Sequence, residues 1–148
     1  RNGQDREARL NMMSASLQGA MAFQKGLGCV HSLSHSLGGV DPRMHHGTLN
    51  AMFLPAVIAF NAESDSVVKD KRLQRMAHAM GLSSGSDIPE AIKDMNARLG
   101  LRTGLSAMGL TPAQFDQVVA GALLDHCHQT NPRLASEADY LQLLAQSL

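Results

Sequence analysis

The sequence predicts an all-α fold, on three observations. Its apolar residues are mostly Leu, Ala and Met, with one Tyr and no Trp. They recur at helical spacing along most of the chain. Long β-branched or aromatic runs, the mark of strands, are missing. At 148 residues the chain has the length of one domain and can bury a real core.

The elements follow in order. Ala8, Met12, Ala15, Leu17, Ala20 and Phe23 share one helical periodicity, which predicts a first helix from Asp5 to about Lys25. Gly26 and Gly28 interrupt it. A second helix is expected from about Leu27 to Leu37, with Gly38-Gly39 as its C-terminal stop. "VDPRMHH" reads as a loop, because Pro42 disfavours helix at Asp41. A third helix starts at His46 or Gly47 and runs to about Asn61, with Pro55 removing one backbone donor inside it. Val67 to Met80 is expected as one helix ending at Gly81. Ser86 or Asp87 caps the next, with Pro89 in its first turn. Thr111-Pro112 opens another, and "SEAD" at Ser136 opens the last. "HCHQTNPRLA" is read as a polar loop between those two. About seven helices result, with short connections and no internal repeat.

Composition narrows the function. Formal net charge is zero, so nothing points to nucleic acid or an anionic membrane as partner. The longest apolar run, Ala51 to Phe60, is too short to span a bilayer and contains Pro55. Cys29 and Cys127 form no CxxC pair and no disulfide framework, and "RNGQDREAR" has no signal-peptide core, so a cytoplasmic protein is expected. Met12, Met13, Met21, Met52 and Met76 are read as core filler, and "KDKRLQR" as a solvated helix face.

Chemistry concentrates in "GLGCVHSLSHSLGGVDPRMHHGTLNAMFLPAVIAFN", residues 26–61, which holds four of the seven histidines. His31 and His35 stand four apart, so on a helix they project from one face. That spacing suits a metal ion but equally suits helix-capping or buried polar roles. Ser32 stands where a zinc peptidase needs its glutamate, which argues against that enzyme. "HHG" brings further imidazoles to the next helix start, the kind of junction where two segments could share an ion. His78, His126 and His128 lack such surroundings and are read as surface or capping residues.

The pattern G-L-G-x-V-H-x-x-x-H-x-L-G, followed by H-G-x-x-N-A and an apolar run with a proline, resembles the signature of the iron-containing (group III) alcohol dehydrogenases. Cys127 shortly before Asn131-Pro132-Arg133 extends the likeness towards the C-terminus. Members look like two-domain proteins, and this chain resembles only the helical second domain, of dehydroquinate synthase-like fold. The resemblance implies a metal, iron(II) in first expectation and zinc(II) in second, with His31 and His46 as ligands. It implies that His35 lies beside the nicotinamide of NAD or NADP and the substrate, as a catalytic and cofactor-facing residue. Cys127 is placed in the substrate-pocket wall, with an ordinary buried thiol as the alternative.

Two departures bear on this. The loop after His35 is one residue longer than the commonest form, so loop length points to His45 and the adjoining Gly47 to His46; the Gly47 and Asn50-Ala51 surroundings favour His46. Ser36 replaces a frequent proline, with no chemical consequence expected. The larger departure is an absence. The D-x-x-x-H pair that completes the family's metal shell is not found upstream of His31, where Asp5 is followed four residues later by Arg9. The chain is therefore expected to be the C-terminal part, residues 1–148 forming one helical metal-binding and catalytic domain, of a metal-dependent NAD(P) oxidoreductase. That enzyme would interconvert an alcohol and an aldehyde or ketone, as a homo-oligomer, while the piece alone would be inactive. Rival readings are a sister enzyme such as maleylacetate reductase or glycerol dehydrogenase, and a non-catalytic helical module.

Overall fold

The computed structural model describes residues 2–101 and 104–148, and among these it contains helices and no strand. Among the described residues there are eight α-helices: α1 (Arg6–Ala22), α2 (Gly28–Val40), α3 (His46–Asn61), α4 (Asp65–Lys69), α5 (Arg72–Ala79), α6 (Ile88–Arg98), α7 (Phe115–Leu124) and α8 (Glu137–Gln146).

α2 is the central element. It packs against α3 on one side and α7 on the other, and its N-terminal half also meets a 3₁₀ segment at His126–Thr130. Its Cys29, Leu33 and Leu37 are fully buried against Leu49 and Phe53 of α3, Val118 of α7, and Tyr140 and Leu144 of α8. Burying side chains of this size stabilises by about 1.5–3 kcal/mol each before the entropy of ordering is counted. A smaller cluster of Ile58, Ala77, Ile88 and Ile92 fastens α5 and α6 to the far end of α3.

Several helix ends follow local chemistry. Asp5 caps α1 by accepting from the Ala8 N–H at 3.0 Å. Ser136 and Asp139 form a reciprocal box at α8: Ser136 Oγ accepts from the Asp139 N–H at 3.2 Å, and Asp139 Oδ2 accepts from the Ser136 N–H at 2.8 Å. Gln114 Oε1 accepts from the Thr111 N–H at 3.0 Å, so Thr111-Pro112 opens a 3₁₀ turn that leads into α7.

Other ends differ from expectation. α2 runs through Gly38 and Gly39 to Val40, and stops where Pro42 forces Asp41 to an extended φ of −134°. Both glycines remain helical, so the proline sets the stop. The expected single helix from Val67 to Met80 is two, because Lys71 takes a left-handed φ of 50° between α4 and α5. At α6 the capping moves upstream: Ser84 Oγ accepts from the Ser86 N–H at 3.3 Å, while Asp87 reaches back to the Ser84 N–H at 3.1 Å.

The methionine reading is corrected most. Met52 is buried, but Met12, Met13 and Met21 are 70%, 68% and 65% exposed, and Met76 is exposed as well. No residue of α1 is buried, because α1 leaves the body of the domain and its apolar side chains find no partner among the described residues. Among the described residues no helix is long and apolar enough to cross a membrane.

Candidate functional site

α2 and the first turn of α3 bring three imidazoles together. Ring centroids lie 5.6 Å apart for His31 and His35, 5.3 Å for His31 and His46, and 5.2 Å for His35 and His46. The helical spacing on α2 sets the first pair; the close crossing of α2 and α3 supplies the third ring. His45 precedes α3 with its side chain exposed and makes none of these ring contacts. The adjoining-glycine alignment thus corresponds to the histidine that joins the cluster.

Asn50 sits one turn beyond His46 and ties two of the rings. Its Nδ2 lies 3.0 Å from His46 Nε2 and 3.3 Å from His31 Nε2, so both nitrogens converge on one donor. Ser34 Oγ lies 3.3 Å from His46 Nδ1. His31 is held below the usual imidazole pKa, first by burial and then by the neighbouring His46 and His35. Its Nδ1 is buried and has no hydrogen-bond partner among the described residues, as is Asn50 Oδ1. Two imidazole nitrogens aimed at one point, one of them on a ring kept neutral, form a donor pair suited to a divalent cation.

His35 faces the opposite way with its other nitrogen. Its Nδ1 lies 3.0 Å from Asp125 Oδ2, ninety residues away in sequence. Asp125 Oδ1 accepts from the Cys127 N–H at 2.8 Å and from the Ser32 hydroxyl at 3.4 Å. Burial pushes the Asp125 carboxyl up, but the Cys127 N–H and His35 together outweigh it and hold it below its ordinary value. Cys127 is buried, its Sγ 3.4 Å from His126 Nε2, and burial followed by Asp125 pushes its thiol up to about 11. His126 also stacks on His35 with centroids 6.0 Å apart, and the Phe23 ring meets His31 edge-on at 5.8 Å.

The segment read as a polar loop is mostly exposed, but its first half is a 3₁₀ turn, His126–Thr130, in which Cys127 and His128 are buried. His128 is 6% exposed, not at the surface, because its Nδ1 bonds the hydroxyl of fully buried Tyr140 at 3.0 Å. Asn131 Oδ1 accepts from the Cys29 N–H at 3.1 Å and Thr130 Oγ1 from the Leu27 N–H at 3.2 Å, so "TN" caps the start of α2. Asn131 and Asn61 also exchange amide hydrogen bonds at 2.7 and 3.3 Å, locking that cap to the end of α3. Ser36, expected to have no chemical consequence, has a structural one: it donates to the Val118 carbonyl at 2.7 Å and staples α2 to α7.

Asp125, Asn50, Ser34 and His126 were not legible as site residues. Asp125 offered one signal, its place two residues before Cys127, but a carboxylate so far along the chain from His35 needs the fold to be recognised as its partner.

Comparisons with known proteins assign this all-helical domain to a family. The description "Fe-containing alcohol dehydrogenase family, C-terminal" matches residues 1–148. The chain belongs to the iron-containing alcohol dehydrogenase family, within its C-terminal helical part. It is 63% identical to a 4-hydroxybutyrate dehydrogenase of Cupriavidus necator over 152 residues, covering 100% of this chain and 40% of that protein. An NAD-dependent methanol dehydrogenase of Bacillus methanolicus is 34% identical over 156 residues, covering 99% of this chain and 40% of that protein. The structure of an alcohol dehydrogenase from Oenococcus oeni superposes with a TM-score of 0.88 at 28% identity, over 99% of this chain and 39% of that one. The chain spans about 40% of the length of the curated relatives it matches.

Proposed function

We propose that this chain is the metal- and substrate-facing helical domain of an NAD(P)-dependent alcohol dehydrogenase that interconverts a small alcohol and its aldehyde or ketone. The observation that carries this is the convergence of His31 Nε2 and His46 Nε2 on the Asn50 amide. The 63% identity to a 4-hydroxybutyrate dehydrogenase supports a short ω-hydroxy acid as substrate. NAD is supported by the name of the methanol dehydrogenase relative, and NADP is the alternative.

In this reading His31 and His46 hold a divalent metal, iron(II) first and zinc(II) second, with an Asp and a His from a preceding nucleotide-binding domain completing the shell. Once bound, the metal supplies Lewis-acid stabilisation of the substrate oxygen. Asn50 holds the two Nε2 lone pairs towards one point in the metal-free chain and must move its amide off them for the rings to ligate, while Ser34 steadies His46 through Nδ1. His35 stands at the exposed edge of the cluster, where it meets the substrate and the nicotinamide. Cys127 contributes to the wall behind it. The chain by itself, with two neutral ligands and no carboxylate between them, holds metal weakly and does not turn over.

Calorimetric titration with Fe(II), Zn(II) and NAD tests the reading on this chain and on a version carrying the preceding domain. The longer protein binds metal tightly; His31→Ala and His46→Ala weaken that binding on the order of 10–100-fold, while His45→Ala leaves it unchanged. Unaltered affinity in His46→Ala, or tight NAD binding by this chain alone, would overturn it.

A further inference from the structure

We infer that Asp125 is the positioning residue for His35, fixing the imidazole as the tautomer with its proton on Nδ1 and its lone pair on Nε2. The inference rests on the reading of His35 given above and goes beyond it by naming what prepares that side chain.

The geometry is a carboxylate held from two sides. Asp125 begins the 3₁₀ turn His126–Thr130, and its Oδ1 is occupied by the Cys127 N–H at 2.8 Å and the Ser32 hydroxyl at 3.4 Å. The Ser32 proton is shared with the Gly28 carbonyl at the same 3.4 Å, so the short Cys127 N–H bond is what keeps the carboxylate from rotating. Oδ2 is thereby left aimed at His35 Nδ1, 3.0 Å away. An ionised carboxylate only accepts hydrogen bonds, so Nδ1 must be the donor. The neutral ring then carries its lone pair on Nε2, the nitrogen free to meet a substrate or nicotinamide group. Ring stacking with His46 at 5.2 Å and His126 at 6.0 Å holds the plane of the imidazole between two near-parallel faces.

A different use of the same residues is a second metal site, since atoms of His35, Asp125 and Cys127 all lie within 4.8 Å of one another. Against it, Cys127 is buried, with its thiol pushed up to about 11 by burial and by Asp125, so it does not readily supply the thiolate a metal would need. Positioning accounts for the contacts Asp125 makes with Cys127 N–H and His35.

Asp125→Asn separates positioning from scaffolding. The amide oxygen keeps the Cys127 N–H cap, because that backbone donor needs an acceptor; the NH₂ then faces His35 Nδ1 and demands a lone pair there. The tautomer inverts while the fold is retained. Two-bond nitrogen–carbon spectra of the imidazoles, recorded on the metal-free chain at a pH where His35 is neutral, read this directly. Wild type should show His35 protonated on Nδ1, and Asp125→Asn should show it protonated on Nε2 with an unchanged thermal midpoint. In the longer enzyme the same substitution should lower kcat on the order of 100-fold with KM for the alcohol little changed. A wild-type His35 protonated on Nε2 overturns the inference without recourse to any variant. An unchanged tautomer in Asp125→Asn overturns it too, as does Zn(II) shifting His35 and Cys127 resonances together before those of His31 and His46. None of these spectra depends on metal at His31 and His46, so failure of the alcohol dehydrogenase reading would be seen separately, in the titrations.

Discussion

Asn131 occupies the space where a side chain on Gly28 would begin: a Cβ there would lie 2.5 Å from Asn131 Oδ1. Gly28 also has φ +69°, a conformation that side chains rarely adopt. The amide of Asn131 is thus able to reach the Cys29 N–H and seat the helix that carries His31 and His35. Gly28→Ala should destabilise the chain by about 1–3 kcal/mol, through clash and backbone strain together. Asn131→Ala should cost about 1–2 kcal/mol, the value of a lost cap, and should widen His31 and His35 backbone exchange. Urea unfolding followed by circular dichroism gives the first, and amide hydrogen exchange the second.

Stability should fall in acid through the α8 cap. The Ser136 N–H and hydroxyl hydrogen bonds hold the Asp139 carboxyl below its ordinary value, aided by Arg133, whose Nη2 lies 3.1 Å away. A carboxyl lowered on folding contributes stability that is complete above its unfolded pKa, near 4, and is lost as pH falls through the folded value. Asp139→Asn should remove about 1 kcal/mol at pH 7 and almost nothing at pH 2. Thermal midpoints of the two proteins at the two pH values check it, and parallel curves would contradict it.

Both thiols should be slow to react in the folded chain. Burial pushes Cys29 to about 11, and burial with Asp125 pushes Cys127 to about 11. Each is about two units above an ordinary 9.0, so near neutral pH the thiolate fraction is about 100-fold smaller than in the unfolded chain. Alkylation with iodoacetamide at pH 7.5, followed by mass spectrometry, should label the urea-unfolded chain at least that much faster than the native one.

The first helix should be dispensable to the core yet adhesive. Leu10, Met13, Leu17 and Met21 lie along α1 and are 66%, 68%, 63% and 65% exposed. Converting these four to Ser should sharply reduce binding of a fluorescent apolar dye. The thermal midpoint should stay within a degree or two, because no α1 residue is buried.

Much of the helical architecture could be read in the chain alone, because the signals are local. Ser136 and Asp139 make a cap within one turn, and Pro112 suits the first turn of a helix. His31 and His35 were legible for the same reason, their shared face being set by helix geometry. Local signals failed where packing decided. The α1 methionines are exposed because an amphipathic stripe says what should be covered, not what is there to cover it, whereas α2 passes Gly38-Gly39 and stops at another local signal, Pro42.

Sequence by itself determined the fold class, the family resemblance and the three imidazoles from α2 and α3, since each follows from short-range spacing or a contiguous motif. Tertiary structure alone decided that Asp125 faces His35 across ninety residues. It also turned the apparent loop around His128 and Asn131 into the seam that seats α2. The reason is physical: a hydrogen bond between distant segments is specified by where two helices cross, and no local pattern encodes a crossing.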